Sequence, residues 1–365
     1  MSLKCGIVGL PNVGKSTLFN CLSNSKAQSA NFPFCTIEPN IGVISVPDER
    51  LEVLSRIVNP NRVVPATVEI VDIAGLVKGA SKGEGLGNKF LANIRETNAI
   101  IHVLRCFKDD NIVHVDGSVN PVRDKETVDM ELQLKDLETL DKIYNKNLRA
   151  AQSGDVIAKK NIQIVEKYIA HLGSGNSART LDINEDEIDF VSDLDLITSK
   201  PVLYMCNVDE ASIKTGNKYV ESVREVVQHE DAEVLLIATA IEAEIAELED
   251  VQEQIMFLEE LGLKKPGVHH LIQSTYKLLD LQTYFTAGEK EVRAWTITKG
   301  TKAPKAAAVI HTDFEKGFIR AEVMKYDDFV LLGSEQACRD SGKLSIEGKE
   351  YLVKDGDIMH FRFNV

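Results

Sequence analysis

Aromatic residues are scarce in this chain, at 6% with a single tryptophan, and no apolar run approaches the roughly 20 residues that span a bilayer. No membrane partner is therefore expected. The six cysteines (Cys5, Cys21, Cys35, Cys106, Cys206, Cys338) never form a C-x-x-C pair. Their scatter argues against a zinc site or disulfide framework and suits a reducing cytosol. Met1-Ser2-Leu3-Lys4 runs straight into strand-like sequence without the layout of a signal peptide, so a cytoplasmic location is expected. Repeats and low-complexity segments are missing too. At 365 residues the chain is too long for one compact core and about right for two or three units.

Net charge is −14, which at first sight disfavours nucleic acid, but the acidity is uneven. Residues 1–120 carry +1, 121–200 carry −5, 201–280 carry −10 and 281–365 are neutral. The two ends could therefore still present a basic face, which permits an RNA partner without indicating one.

Residues 4–8, 41–46, 67–72, 99–105, 201–207 and 234–238, most of them near-continuous apolar runs, read as strands of a parallel sheet covered on both faces. Helical stretches alternate with them, the βαβ pattern of a doubly wound α/β domain. The alternation breaks between Pro121 and Lys200. There, residues 127–150 and 156–172 carry apolar residues at helical spacing on either side of Ser153-Gly154-Asp155, predicting a helical hairpin. A second, strongly acidic helical patch covers 242–261. After Leu281 the texture becomes that of a small α+β domain, with strands expected at 291–296, 319–323 and 349–352 and a helix at 334–341.

Gly9-Leu10-Pro11-Asn12-Val13-Gly14-Lys15-Ser16 matches G-x-x-x-x-G-K-[ST] and lies between an expected strand and an expected helix. Glycines there let backbone N–H groups converge on phosphate oxygens, and the helix N-terminus adds a favourable dipole. The loop from Asn12 through Val13 and Gly14 would wrap the phosphates and Lys15 would lie along the β- and γ-phosphates. The Ser16 hydroxyl would join a Mg²⁺ shell and Thr17 would reach the α-phosphate. Asp72, at a strand's carboxyl end, suits Mg²⁺ through a water, and Gly75 can offer its N–H to the γ-phosphate. Glycines at 79, 83, 85 and 87 suggest a segment that orders around a triphosphate, and Thr36 lies where a first switch loop would give Mg²⁺ a second hydroxyl.

GTPases of this architecture read guanine with N-K-x-D after the corresponding strand; here the stretch is Asn207-Val208-Asp209-Glu210. Val208 replaces the lysine that packs on the base, and Glu210 replaces the aspartate. Asn207 can still address N7 and the 6-amino group of adenine, and the Val208 backbone can contact the ring edge. This favours ATP over GTP, or at least lost discrimination, because specificity built on a hydrogen-bonded pair collapses when the pair is removed. Leu76 stands where Ras-like enzymes place the glutamine that orients water, so another group is needed. His114, on the rim after the fourth strand, is the candidate. Asn12 is a candidate to help coordinate K⁺, which would neutralise developing charge.

Together Gly9–Ser16, the segment 31–42, the segment 72–87 with Leu76, and Asn207–Glu210 resemble the YchF family, the Obg-like ATPases, from end to end. Leu281–Gly288 and His311–Arg320 look like that family's C-terminal TGS domain, a ubiquitin-like β-grasp module. The resemblance implies a P-loop NTPase domain with a doubly wound, mostly parallel sheet (1–120 and 201–280). An inserted coiled-coil hairpin (121–200) and a TGS domain (281–365) would complete the chain. It further implies ATP as preferred nucleotide and association with the ribosome or its large subunit and with RNA. In the TGS-like part Lys299, Lys302, Lys305, Lys316 and Arg320 are candidate RNA contacts. The expected function is a ribosome-associated ATPase acting as a nucleotide-dependent switch. Its rivals are a GTPase of the same fold, an RNA-binding adaptor with little turnover and, least supported, a small-molecule kinase.

Overall fold

The computed structural model describes residues 3–24, 41–73 and 86–364. Thr36, Gly75, Leu76, Gly79, Gly83 and Gly85 lie outside the described residues. The strands are β1 (Lys4–Val8), β2 (Ile41–Ser45), β3 (Val63–Val64), β4 (Thr67–Asp72), β5 (Ala99–Arg105), β6 (Val202–Asn207), β7 (Val234–Ile237), β8 (Leu281–Ala287), β9 (Val292–Thr298), β10 (Phe318–Met324), β11 (Leu344–Glu347) and β12 (Ile358–Phe363). Packing divides the chain into two compact units. The first holds the described parts of Met1–Asn24, Phe34–Gly42 and Glu69–Val268; the second holds Val43–Val68 and the described part of His269–Val365. Residues 43–68, expected in the nucleotide domain, thus pack with the second unit.

In the first unit the strands run β4-β1-β5-β6-β7, and the pairs β1/β4, β1/β5, β5/β6 and β6/β7 are parallel. Every residue of β5 and β6 is buried, which is why both read as near-continuous apolar runs, interrupted by His102, Arg105 and Asn207. The hairpin is formed by helices Pro121–Gln152 and Val156–Gly173. The first begins six residues earlier than expected, because the Asn120 side chain caps it by accepting from the Arg123 N–H and Pro121 fits its first turn. Gly154 makes the turn at φ +97°, and Asp155 caps the second helix through the Ile157 and Ala158 N–H groups. Leu140, Ile164, Val165, Tyr168 and Leu172 fill the hairpin's core together with Leu194 and Leu196.

Charged groups lock the hairpin's base onto the sheet. Asp136, fully buried, accepts from the Ile197 and Thr198 N–H groups, both at 2.8 Å. Lys125 meets Asp129 and Glu230 at 2.7 and 2.9 Å, and Glu230 also receives Arg179 and the Tyr204 hydroxyl. Buried charges persist only when paired in this way.

The second unit has a mixed sheet of order β11-β10-β12-β8-β9-β3. Antiparallel hairpins β8/β9 and β10/β11 flank a parallel β12/β8 contact, the strand order of a β-grasp module with β3 added at one edge. Helix Ala303–Ile310 lies against it with Ala303, Ala306 and Ala307 buried on Tyr284, Phe318, Val323 and Phe361. Residues 349–352, expected as a strand, instead form a turn with one isolated bridge from Leu352 to Lys302. Among the described residues no helix is long and apolar enough to cross a membrane.

Candidate functional site

The carboxyl ends of β1, β4, β5 and β6 carry the nucleotide-motif residues, where open parallel sheets bind ligands. Val8 ends β1, and the chain turns through Gly9–Gly14 into helix Lys15–Asn24, with the Leu18 N–H bonded to the Gly14 carbonyl at 2.9 Å. Asn12 adopts φ +60° and Gly14 φ +102°. A Cβ on Gly14 would stand 2.3 Å from Asn207 Nδ2 and 3.0 Å from Thr239 Oγ1, so glycine is required on both conformational and steric grounds. Val13 is buried, whereas Ser16 and Thr17 are exposed at the helix start.

Lys15 is only 7% exposed and its Nζ donates to the Leu10 carbonyl at 2.7 Å. Burial lowers its ammonium to about 8, with the Asp72 carboxylate pulling the other way. The Asp72 carboxyl is raised by burial against the opposing pull of Lys15, and its Oδ1 is buried with no hydrogen-bond partner among the described residues. For both groups desolvation outweighs their mutual attraction. A desolvated lysine facing a phosphate loop and an orphaned carboxylate oxygen are what a polyanion and a divalent cation would satisfy. The donor set is all oxygen, from the Asp72 carboxylate and the Ser16 hydroxyl, so these residues fit Mg²⁺. When bound, the ion would neutralise charge on the β- and γ-phosphates.

Asn207 ties the loop to the base-side strands. Its Nδ2 donates to the Val13 carbonyl at 2.9 Å and its Oδ1 accepts the Thr239 N–H at 3.1 Å, with the side chain 2% exposed. Val208 is buried and its N–H is spent on the Ile237 carbonyl at 3.0 Å. Asp209 caps the short turn Glu210–Ser212 by accepting the Ser212 N–H, leaving Glu210 exposed.

The loop after β5 also meets the phosphate loop, since Asn12 Nδ2 donates to the Val113 carbonyl at 3.2 Å. The adjoining His114 has both ring nitrogens engaged. Nδ1 accepts the Asp116 N–H at 3.1 Å, and Nε2 lies 2.8 Å from Asp124 Oδ2, at the start of the hairpin's first helix. Sequence reasoning missed two organisers of this loop. Asp124 is one. The other is Arg105, buried at the end of β5, whose guanidinium donates to the carbonyls of Phe107, Asp109 and Ile112 and so shapes the segment that presents Val113 and His114. An arginine closing a mostly apolar strand was the available signal for it.

The candidate RNA contacts of the second unit are mostly spent on carboxylates. Lys299 pairs with Asp280 at 3.1 Å, Lys302 with Glu350 at 2.5 Å, Lys305 with Glu315 at 2.7 Å and Arg320 with Glu322 at 3.4 Å.

Strand, glycine-turned loop, buried lysine and strand-end aspartate define a P-loop nucleoside triphosphatase fold. Known proteins narrow the class. A family model described as "50S ribosome-binding GTPase" matches residues 4–146, and YchF-GTPase_C, described as a protein of unknown function, matches 281–364. "Ribosome-binding ATPase YchF" of Haemophilus ducreyi is 55% identical over 365 residues, covering all of both chains. Its namesake in Bacillus subtilis is 52% identical over 367 residues, again covering all of both. The solved "YchF GTPase" of Schizosaccharomyces pombe superposes with a TM-score of 0.90 at 39% identity, over 99% of this chain and 98% of that one. The chain belongs to the YchF family.

Proposed function

We propose that the protein binds ATP with Mg²⁺, hydrolyses it, and uses the nucleotide state as a switch in its association with the ribosome. The observation that carries the adenine reading is the Asn207–Glu210 stretch. Asn207 keeps the loop-bracing role, but buried Val208 stands in the lysine's place and exposed Glu210 in the aspartate's, which leaves no lysine–aspartate pair to grip guanine. The names of the bacterial relatives support ATP and the ribosome; the name of the fission-yeast protein and one family description support GTP. Calorimetric titration with each nucleotide decides between the readings: tighter ATP binding is expected, and tighter GTP binding would overturn the adenine assignment.

Within this reading Lys15, Ser16 and Asp72 hold the triphosphate and its metal, joined by the sequence-assigned Thr17, Thr36 and Gly75. Asn12, whose amide nitrogen is engaged by Val113, has its side-chain carbonyl to offer K⁺. His114 takes the place of the missing glutamine by orienting the attacking water, which requires its ring to leave the Asp124 and Asp116 partners. His114→Ala should lower single-turnover hydrolysis by roughly a hundredfold while nucleotide affinity stays nearly constant. An unchanged rate would sink the assignment.

A further inference from the structure

We infer that the outer half of the hairpin, residues 142–160, is a contact surface for an RNA phosphate backbone. This rests on the proposed association with the ribosome and assigns it a place. The segment carries Lys142, Lys146, Arg149, Lys159 and Lys160 against the single carboxylate of Asp155, a net +4 in a chain of −14. Lys142, Lys146 and Arg149 fall at i, i+4 and i+7, one stripe on the helix face opposite the buried Leu140 and Ala151. Along the axis that stripe extends about 10 Å.

Pairing separates these cations from the others. Lys160 meets Asp186 at 2.5 Å, but Lys142, Lys146, Arg149 and Lys159 are exposed and have no ion pair among the described residues. Four of the five cations nominated in the second unit are neutralised by carboxylates. The hairpin's stripe is also costly to its own helix, because like charges at i,i+4 and i,i+3 repel. The helix dipole accounts for Arg149 in the last turn, but not for Lys142, nor for Lys159 in the first turn of the next helix, where a cation is unfavourable. At the tip, Val156 and Ile157 are 77% and 73% exposed, an apolar pair beside the cations that a merely solvated face would not need. Four unpaired, exposed cations on the outer half of the hairpin fit a polyanion, and counterion release would make the contact salt-dependent.

The test uses the full chain with Lys142, Lys146, Arg149 and Lys159 all changed to Ala. Probes are a labelled 40-nucleotide structured RNA read by fluorescence anisotropy, and intact ribosomes read by co-sedimentation. The variant should bind the RNA at least tenfold more weakly at 100 mM salt, and its slope of log affinity against log salt should be shallower by roughly 3. Ribosome binding should fall in parallel, while melting temperature and nucleotide affinity stay as in the parent. Parent-like RNA affinity and slope would overturn the proposal while leaving ribosome association standing. Loss of ribosome binding with RNA binding intact would place a ribosomal protein there instead and also overturn it. Failure of the parent to bind ribosomes in any nucleotide state would remove the reading on which it rests. Binding of the parent to phosphatidylserine vesicles but not to RNA would reassign the surface to a membrane.

Discussion

Asn207 is the residue on which the phosphate loop and the base side of the site depend together, and its removal can be worked through from the geometry. The side chain is almost fully buried, with one bond to the Val13 carbonyl at 2.9 Å and one from the Thr239 N–H at 3.1 Å. Asn207→Ala orphans a buried acceptor and a buried donor. At about 1–3 kcal/mol for each, the loss is about 2–6 kcal/mol, concentrated in the loop. Asn207→Asp keeps the acceptor for Thr239 but turns a second oxygen on the Val13 carbonyl. It can be satisfied only if the new carboxyl is protonated. Its folded value is then raised above the unfolded one, so the variant should grow less stable as pH rises from 5 to 8. Amide hydrogen exchange at Gly14–Leu18 is the direct assay, with urea midpoints alongside. Faster exchange in both variants is expected, rising with pH beyond the intrinsic rate only for Asn207→Asp. Exchange and midpoints indistinguishable from the parent would refute the claim that Asn207 braces the loop.

Three other outcomes follow from the same geometry. Gly14→Ala should abolish nucleotide binding and lower the melting temperature by several degrees, since a side chain at φ +102° is strained and its Cβ collides with Asn207 and Thr239. Without nucleotide, Asp72→Asn should be more stable than the parent at pH 7, because burial raises the folded carboxyl and the parent loses stability as pH climbs through that value; the difference should vanish near pH 3, and Mg²⁺ dependence of binding should weaken. In the second unit, hydrogen bonding from Arg362 and Arg339 holds the Glu322 carboxyl down at about 2. Stability from this group is present above the ordinary 4.5 and lost as pH falls toward 2, so acid unfolding followed by the single tryptophan, Trp295, should steepen there, and Glu322→Gln should flatten it.

What was legible in the sequence was what depends on neighbours in sequence. Strands β1, β4 and β5 fall at their expected bounds, because their sequences are mostly apolar between clear breaks, and helix Lys15–Asn24 follows the phosphate loop as expected because that loop is one contiguous motif. The hairpin was readable from its 3.6-residue periodicity and its Ser-Gly-Asp turn. Long-range pairing was invisible. Nothing near His114 announced Asp124 as its partner, and the lysines of the second unit looked like free cations because Asp280 and Glu350 lie 19 and 48 positions away. Helix Ala303–Ile310 and strand β12 also went unread: the helix is short with Pro304 in its first turn, and β12 mixes His360 and Arg362 into its apolar pattern. Residues 349–352 looked extended, but the Gly348 turn and the single bridge to Lys302 prevent a ladder.

The central claim is that the amides from Gly9 to Ser16 and the desolvated Lys15 ammonium hold a nucleoside triphosphate. Calorimetric titration of the parent and of Lys15→Ala with Mg·ATP addresses it most directly. Loss of a buried, charge-assisted phosphate contact of about 3 kcal/mol predicts affinity roughly a hundredfold weaker in the variant. Equal affinity in the two proteins would contradict it.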